Sequence, residues 1–132
     1  MRKVTLNLSP PHSVLLIMDH NSGEPPKVFG RRLVSATQTC IAVGTLADAD
    51  GRTTVEFSGS PESLGADGGM KSVFDGVILT ASREVHLCTT ALKSLAKLSV
   101  PTNAARVRVW ANHDSEPDRI LIMVTAAEEP VR

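Results

Sequence analysis

The chain has 132 residues, 42% hydrophobic and 21% charged, a globular composition rather than that of a disordered segment. Lys plus Arg and Asp plus Glu are balanced at 14 each, so the formal net charge is zero, which removes the broad attraction behind non-specific binding to nucleic acid or an anionic membrane. One Trp, three Phe and no Tyr leave an aliphatic core, and no apolar run approaches the ~18 residues of a membrane-spanning helix.

Val4, Leu6 and Leu8 alternate with Lys3, Thr5 and Asn7, the period of a half-buried strand, which stops at Ser9-Pro10-Pro11. Met1-Arg2-Lys3 is a basic start with no unbroken apolar stretch behind it, so no signal peptide is expected and the chain reads as cytoplasmic, with reduced thiols. Residues 13–18 form a continuous aliphatic run ended by Asp19-His20-Asn21-Ser22-Gly23. Pro25-Pro26 forbid regular structure beyond it, and residues 28–36 read as a short irregular turn or helix.

Residues 39–46 and 52–58 are two β-rich segments joined by Ala47-Asp48-Ala49-Asp50-Gly51. Asp-Gly at such a junction predicts a hairpin, because glycine takes positive φ at little cost. Residues 59–69 are rich in Gly, Ser and Pro and read as a surface loop. Residues 73–80 and 83–89 follow as two strands around Ala81-Ser82. Between 90 and 100 a helical stripe and a strand alternation both fit, and Pro101, which pushes Val100 extended, favours a strand over 95–100. Residues 106–111 and 119–125 finish the chain's strands, joined by a polar segment over 112–118. About eight or nine short strands at this spacing predict an all-β fold, a two-sheet antiparallel β-sandwich forming one domain over 1–132.

Cys40 and Cys88 have no CxxC partner and read as buried packing residues rather than a disulfide. In Val14-Leu15-Leu16-Ile17-Met18 and Ile120-Leu121-Ile122-Met123-Val124 both strand faces are apolar, whereas a sandwich strand facing water on one side alternates. Something must cover the second face: the irregular 24–37 segment, or a second copy in a homodimer.

Catalytic and metal motifs are absent from the sequence, and no cofactor is expected. An EF-hand alignment of Gly51 to the sixth loop position places Leu46 and Phe57 where the first and twelfth ligands belong, so Asp48-Ala49-Asp50-Gly51 is a turn. Gly65-Ala66-Asp67-Gly68-Gly69 lacks the following Gly-Lys-Ser/Thr of a phosphate loop, and there is no G-x-S-x-G elbow. The four histidines, His12, His20, His86 and His113, are dispersed. If the loops carrying Asp19-His20 and His113-Asp114 met at one end of the sandwich, His20, His113 and Asp114 would be candidates for a divalent metal or acid–base work. Arg106, Arg108 and Trp110 share one strand face opposite Val107 and Val109. Arginines flanking an indole suit a protein interface, for which these three are the candidates, and less readily a nucleic acid. Their alternative role is packing, with arginine stems laid over the indole.

With the strands placed, the chain resembles the competence protein J family of small bacterial β proteins. The aliphatic strand 14–18 running into a polar turn and Pro25-Pro26, the Cys40-to-Phe57 pair, and Leu98-Ser99-Val100-Pro101 followed by Arg106-Val107-Arg108-Val109-Trp110 carry the resemblance. It implies a β-sandwich without known catalytic residues, associated with DNA-uptake competence and acting on a nuclease partner. The family has no catalytic motif to transfer. The sequence therefore points to a non-enzymatic protein-binding domain, an inhibitor or accessory protein. An enzyme or metal site at the histidine loops and a small-ligand-binding sandwich are the alternatives.

Overall fold

The computed structural model describes residues 3–19, 21, 23–26, 33–47, 50–59, 70–113 and 116–127. Ten strands lie in two five-stranded sheets: β1 (Lys3–Leu8), β2 (Val14–Met18), β3 (Val34–Ala36), β4 (Cys40–Gly44), β5 (Thr53–Ser58), β6 (Lys71–Leu79), β7 (Glu84–Cys88), β8 (Ser94–Ser99), β9 (Ala104–Ala111) and β10 (Arg119–Ala126). The front sheet has the order β1-β5-β10-β9-β6 and the back sheet β3-β4-β2-β7-β8. All pairings are antiparallel except β10 with β5. The β-sandwich expected from strand spacing is the observed architecture.

Its core is the space between the sheets. Alternate residues of each strand point inward, so Leu15, Ile17, Ile41, Val43, Val85 and Leu87 from the back sheet meet Val55, Phe57, Val107, Val109, Ile120 and Ile122 from the front, all fully buried or nearly so. Among the described residues Phe57 is the single aromatic side chain that is fully buried, in keeping with an aliphatic core.

Three local expectations are corrected. The Asp-Gly junction is not a hairpin: β4 lies in the back sheet and β5 in the front. The crossing falls where the Thr45 N–H donates to the Ser13 carbonyl (2.8 Å) and the next N–H, of Leu46, donates to Pro117 (2.9 Å) across the sandwich. Pairing the two strands side by side would hold Ile41 and Val43 beside Val55 and Phe57; crossing lets them face one another across the core. Gly51 does adopt a left-handed backbone (φ 136°), so the glycine was rightly identified while its turn type was not. Residues 34–36, read as turn or helix, form β3, and ten strands replace eight or nine. The strand expected over 95–100 is β8.

The two doubly apolar strands are central in their sheets, and cover for their outer faces comes from within the chain. Outside β2, Leu16 and Met18 cluster with Cys40, Ala42 and Cys88. Gly23 sits on this cluster so closely that a Cβ would stand 2.5 Å from Met18 Cε and 2.8 Å from Met18 Cβ. Residues 23–24 are pinned there: the Glu24 N–H donates to Thr39 Oγ1 (2.9 Å) and the Thr37 hydroxyl to the Glu24 carbonyl (2.8 Å). Both cysteines are free and buried. Burial pushes the Cys40 thiol up to about 12, with Cys88 adding to it, and Cys88 up to about 11.

Candidate functional site

The outer face of the front sheet carries the residues singled out on β9. Register places them in rows: Glu56, Leu121 and Trp110 across β5, β10 and β9, then Ser58, Met123, Arg108 and Asp75 out to β6, then Thr125, Arg106 and Val77. The alternation expected of β9 holds, because Val107 and Val109 are fully buried while Arg106 is exposed and Arg108 and Trp110 are half-buried. The sheet thus gathers two guanidinium groups and the chain's single indole on one face.

The two arginines are held differently. Arg106 makes a bidentate pair with Asp75, Nε to Oδ1 at 2.9 Å and Nη2 to Oδ2 at 2.7 Å. Those hydrogen bonds hold the Asp75 carboxyl below the usual carboxylate range, against the opposing effect of burial and with the charges of Arg106 and Arg108 adding to the lowering. Arg108 stands over Trp110, its guanidinium carbon 5.8 Å from the ring centroid, within cation–π range. Its Nη2 donates to the Met123 thioether at 3.7 Å, and its Nε is buried without a hydrogen-bond partner. Arg108 thereby covers Met123, and Trp110 stands across from Leu121, which accounts for the second apolar face of β10. The packing role expected of these residues is met by Arg108, which lies against Trp110 and Met123. Beside it, Val77 is 55% and Leu79 50% exposed on edge strand β6.

The histidine-loop site is not assembled by its described members. His20 and Asp114 lie outside the described residues. Asp19 is fully buried, and its carboxylate accepts the N–H groups of Asn21 (2.9 Å) and Ser82 (2.7 Å), a backbone cap tying the end of β2 to the β6–β7 turn. That turn adjoins the start of β9, since the Thr80 N–H donates to Asn103 (2.8 Å). His113 follows the far end of β9, roughly 23 Å along the strand, and its Nδ1 accepts the Glu116 N–H (3.0 Å). Among the described residues no group of three His, Cys, Asp or Glu side chains is arranged to hold a metal.

One polar cluster escaped the sequence analysis. On the outer face of the back sheet, His86 Nδ1 shares a 2.8 Å hydrogen bond with Ser94 Oγ, and His86 Nε2 lies 3.5 Å from Glu84 Oε1. The sequence separates these residues by a turn, and only the β7–β8 register brings them together. The order serine, histidine, carboxylate is that of a nucleophile relay, but the histidine–carboxylate distance exceeds the about 2.6–3.2 Å of an orienting bond. Lys97 draws the other Glu84 oxygen at 3.7 Å. The group is a polar network on an open strand face.

A groove of about 420 Å³ opens between the ends of β8 and β10, walled by Leu98, Val100, Pro101, Val124 and Ala126 with Lys97 at its margin.

No protein-family model and no curated protein matches the sequence. Solved structures do match the fold. One is ComJ from Bacillus subtilis, described as an inhibitor of the DNA degrading activity of NucA, with a TM-score of 0.59 and 11% identity over 94% of this chain and 96% of that one. Another is the protein of crocagin biosynthetic gene J, with a TM-score of 0.58 and 15% identity over 96% of both chains. The resemblance to competence protein J drawn from the sequence thus extends to the fold across nearly the whole chain, at an identity that speaks for the fold alone.

Proposed function

We propose that this chain is a protein-binding domain that inhibits or assists a nuclease-like partner through the outer face of its front sheet. The observation that carries the proposal is the Arg106, Arg108 and Trp110 face: an indole and two guanidinium groups on a strand paired on both sides, beside exposed Val77 and Leu79. Arginine and tryptophan are the residues most enriched where interfaces concentrate their binding energy. The likeness to ComJ supports a nuclease as the partner. A second copy of the chain is not needed to cover Met18 or Met123, which have cover of their own.

The test is affinity capture from a lysate of the source organism by the wild-type chain and by Trp110→Ala, followed by a DNA-degradation assay on the captured protein. A stoichiometric nuclease retained by the wild type, lost by the variant, and slowed by adding the chain supports the proposal. Identical capture by both proteins refutes the face, and unchanged DNA degradation refutes the inhibitor role.

The groove beside β8 favours a second function, binding of a small apolar ligand, since its volume falls within the range of small-molecule pockets. An Ala126→Phe variant, placed at an exposed wall of the groove, that abolishes saturable binding of a hydrophobic fluorescent dye supports that function; unchanged binding excludes the groove.

A further inference from the structure

We propose that Arg108 is the receptor for a carboxylate, an Asp or Glu side chain presented by the protein that docks on the front sheet. The inference rests on the protein-binding function proposed for that face.

It starts from the difference between the two arginines. Register sets Asp75 directly across from Arg108, yet the carboxylate turns to Arg106 and spends both oxygens there. Arg108 feels the Asp75 charge through space but, among the described residues, makes no hydrogen bond to a carboxylate. Of its five N–H donors, one reaches a thioether, a weak acceptor, and the buried Nε–H reaches nothing. A guanidinium is planar and presents its donors as a fork matched to a carboxylate, so the missing partner has a defined shape. Trp110, Met123 and Leu121 surround it with apolar surface. An ion pair closed over by a partner at that spot is less screened than one in open water.

The same face selects a carboxylate over a nucleic acid. Glu56 and Asp75 lie on it to either side of the β9–β10 centre, and the chain as a whole carries no net charge. A phosphodiester strand brings regularly spaced negative charges and needs several cations along its track. A single carboxylate set in an apolar segment meets one guanidinium and avoids both acids.

The single tryptophan of the chain lies beside the site, so its fluorescence reports occupancy. The experiment is selection of a Trp-free random peptide library on the folded full chain, with binding read as a change in Trp110 emission. Selected peptides are expected to share one Asp or Glu among apolar residues. Replacing that acid by its amide, or Arg108 by Gln, weakens binding ~10-fold or more. Combining the two changes costs no more than either alone, while Arg108→Lys, which keeps the charge, retains part of the affinity. Arg83→Gln, on the exposed β6–β7 turn, leaves binding unchanged. Peptides that alter Trp110 emission but carry no acid overturn the carboxylate and leave the binding face standing. Peptides that bind without touching Trp110 overturn both. Emission changes that follow thymidine oligonucleotides or inorganic phosphate and depend on Arg108 make this a phosphate site instead.

Discussion

Gly23→Ala tests how the back sheet is sealed. A Cβ at residue 23 would lie 2.5 Å from the Asp19 carbonyl oxygen, 2.5 Å from Met18 Cε and 2.8 Å from Met18 Cβ. Met18 Cε ends a flexible side chain and can swing aside. The Asp19 carbonyl and Met18 Cβ belong to the end of β2 and its continuation and cannot. Residue 23 must therefore lift, straining the 2.7 Å hydrogen bond from its N–H to the Asp19 carbonyl and the two bonds that tie Glu24 to Thr37 and Thr39. Forcing one methyl group into such a contact costs about 1–3 kcal/mol. At the usual entropy of unfolding per residue, that lowers Tm by about 4–11 °C in a chain of this length. Circular-dichroism melts of the wild type and the variant at two protein concentrations measure it. The wild-type Tm is expected to be independent of concentration, because the cover belongs to the same chain. A variant melting with the wild type refutes the seating of Gly23 on Met18, and a wild-type Tm that climbs with concentration points to a second copy as the cover.

Asp19→Ala removes the acceptor of two backbone N–H groups at the β2 end, one of them from Ser82 in the β6–β7 turn. A loss of about 3 kcal/mol is expected from the urea midpoint, and a change below about 0.5 kcal/mol refutes the cap. Cys40 and Cys88, with thiols raised by burial to about 12 and about 11, stay unreacted toward a disulfide reagent at mildly alkaline pH until the chain is unfolded. Prompt labelling of the native protein contradicts their burial. The Asp75 carboxyl titrates below its ordinary 3.8, as read by NMR, and returns toward it in Arg106→Gln. Because the folded value is the lower one, the pair favours folding above the unfolded carboxylate pKa and its contribution fades as pH falls through the folded value. Both partners are about half exposed, so the effect on stability is small.

The sequence declared its strands well and their partners poorly. Alternation found β1 and β9 because one face of each must be apolar, an unbroken aliphatic run found β2, and Pro101 settled β8, where a helix stripe also fitted. Which sheet a strand joins depends on which distant residues it meets. Nothing near Asp50-Gly51 encodes the bond from Leu46 to Pro117 that carries the chain across the sandwich. β3 was missed because three residues are too few to show a period. The site divides in the same way. Alternation put Arg106, Arg108 and Trp110 on one face, but the choice of Asp75 between the two arginines, and the meeting of His86 with Ser94, arise only from pairing β9 with β6 and β7 with β8.

A sandwich has two outer faces, and the chain treats them unequally. Behind the back sheet, small and sulfur-bearing side chains, Ala42, Cys40, Cys88 and Met18, lie buried, and the backbone at Gly23 seats directly on Met18. Over Met18 that face is closed by the chain's own backbone, while its β7–β8 part, with Glu84, His86, Ser94 and Lys97, stays open. In front, Leu121 and Met123 are just as well buried, but their cover is the side chains of β9. Long side chains can swing where a backbone segment cannot. Arg108 lies over Met123 with an Nε–H that finds no acceptor among the described residues, whereas Arg106 is already held by two short bonds. A partner that supplies an acceptor to Arg108 gains the charged bond and, as the guanidinium turns toward it, reaches the apolar surface of Met123 and Leu121 beneath. Binding over β2 would first have to undo the chain's own packing. The front face therefore has both the unmet donor and the movable cover that docking requires.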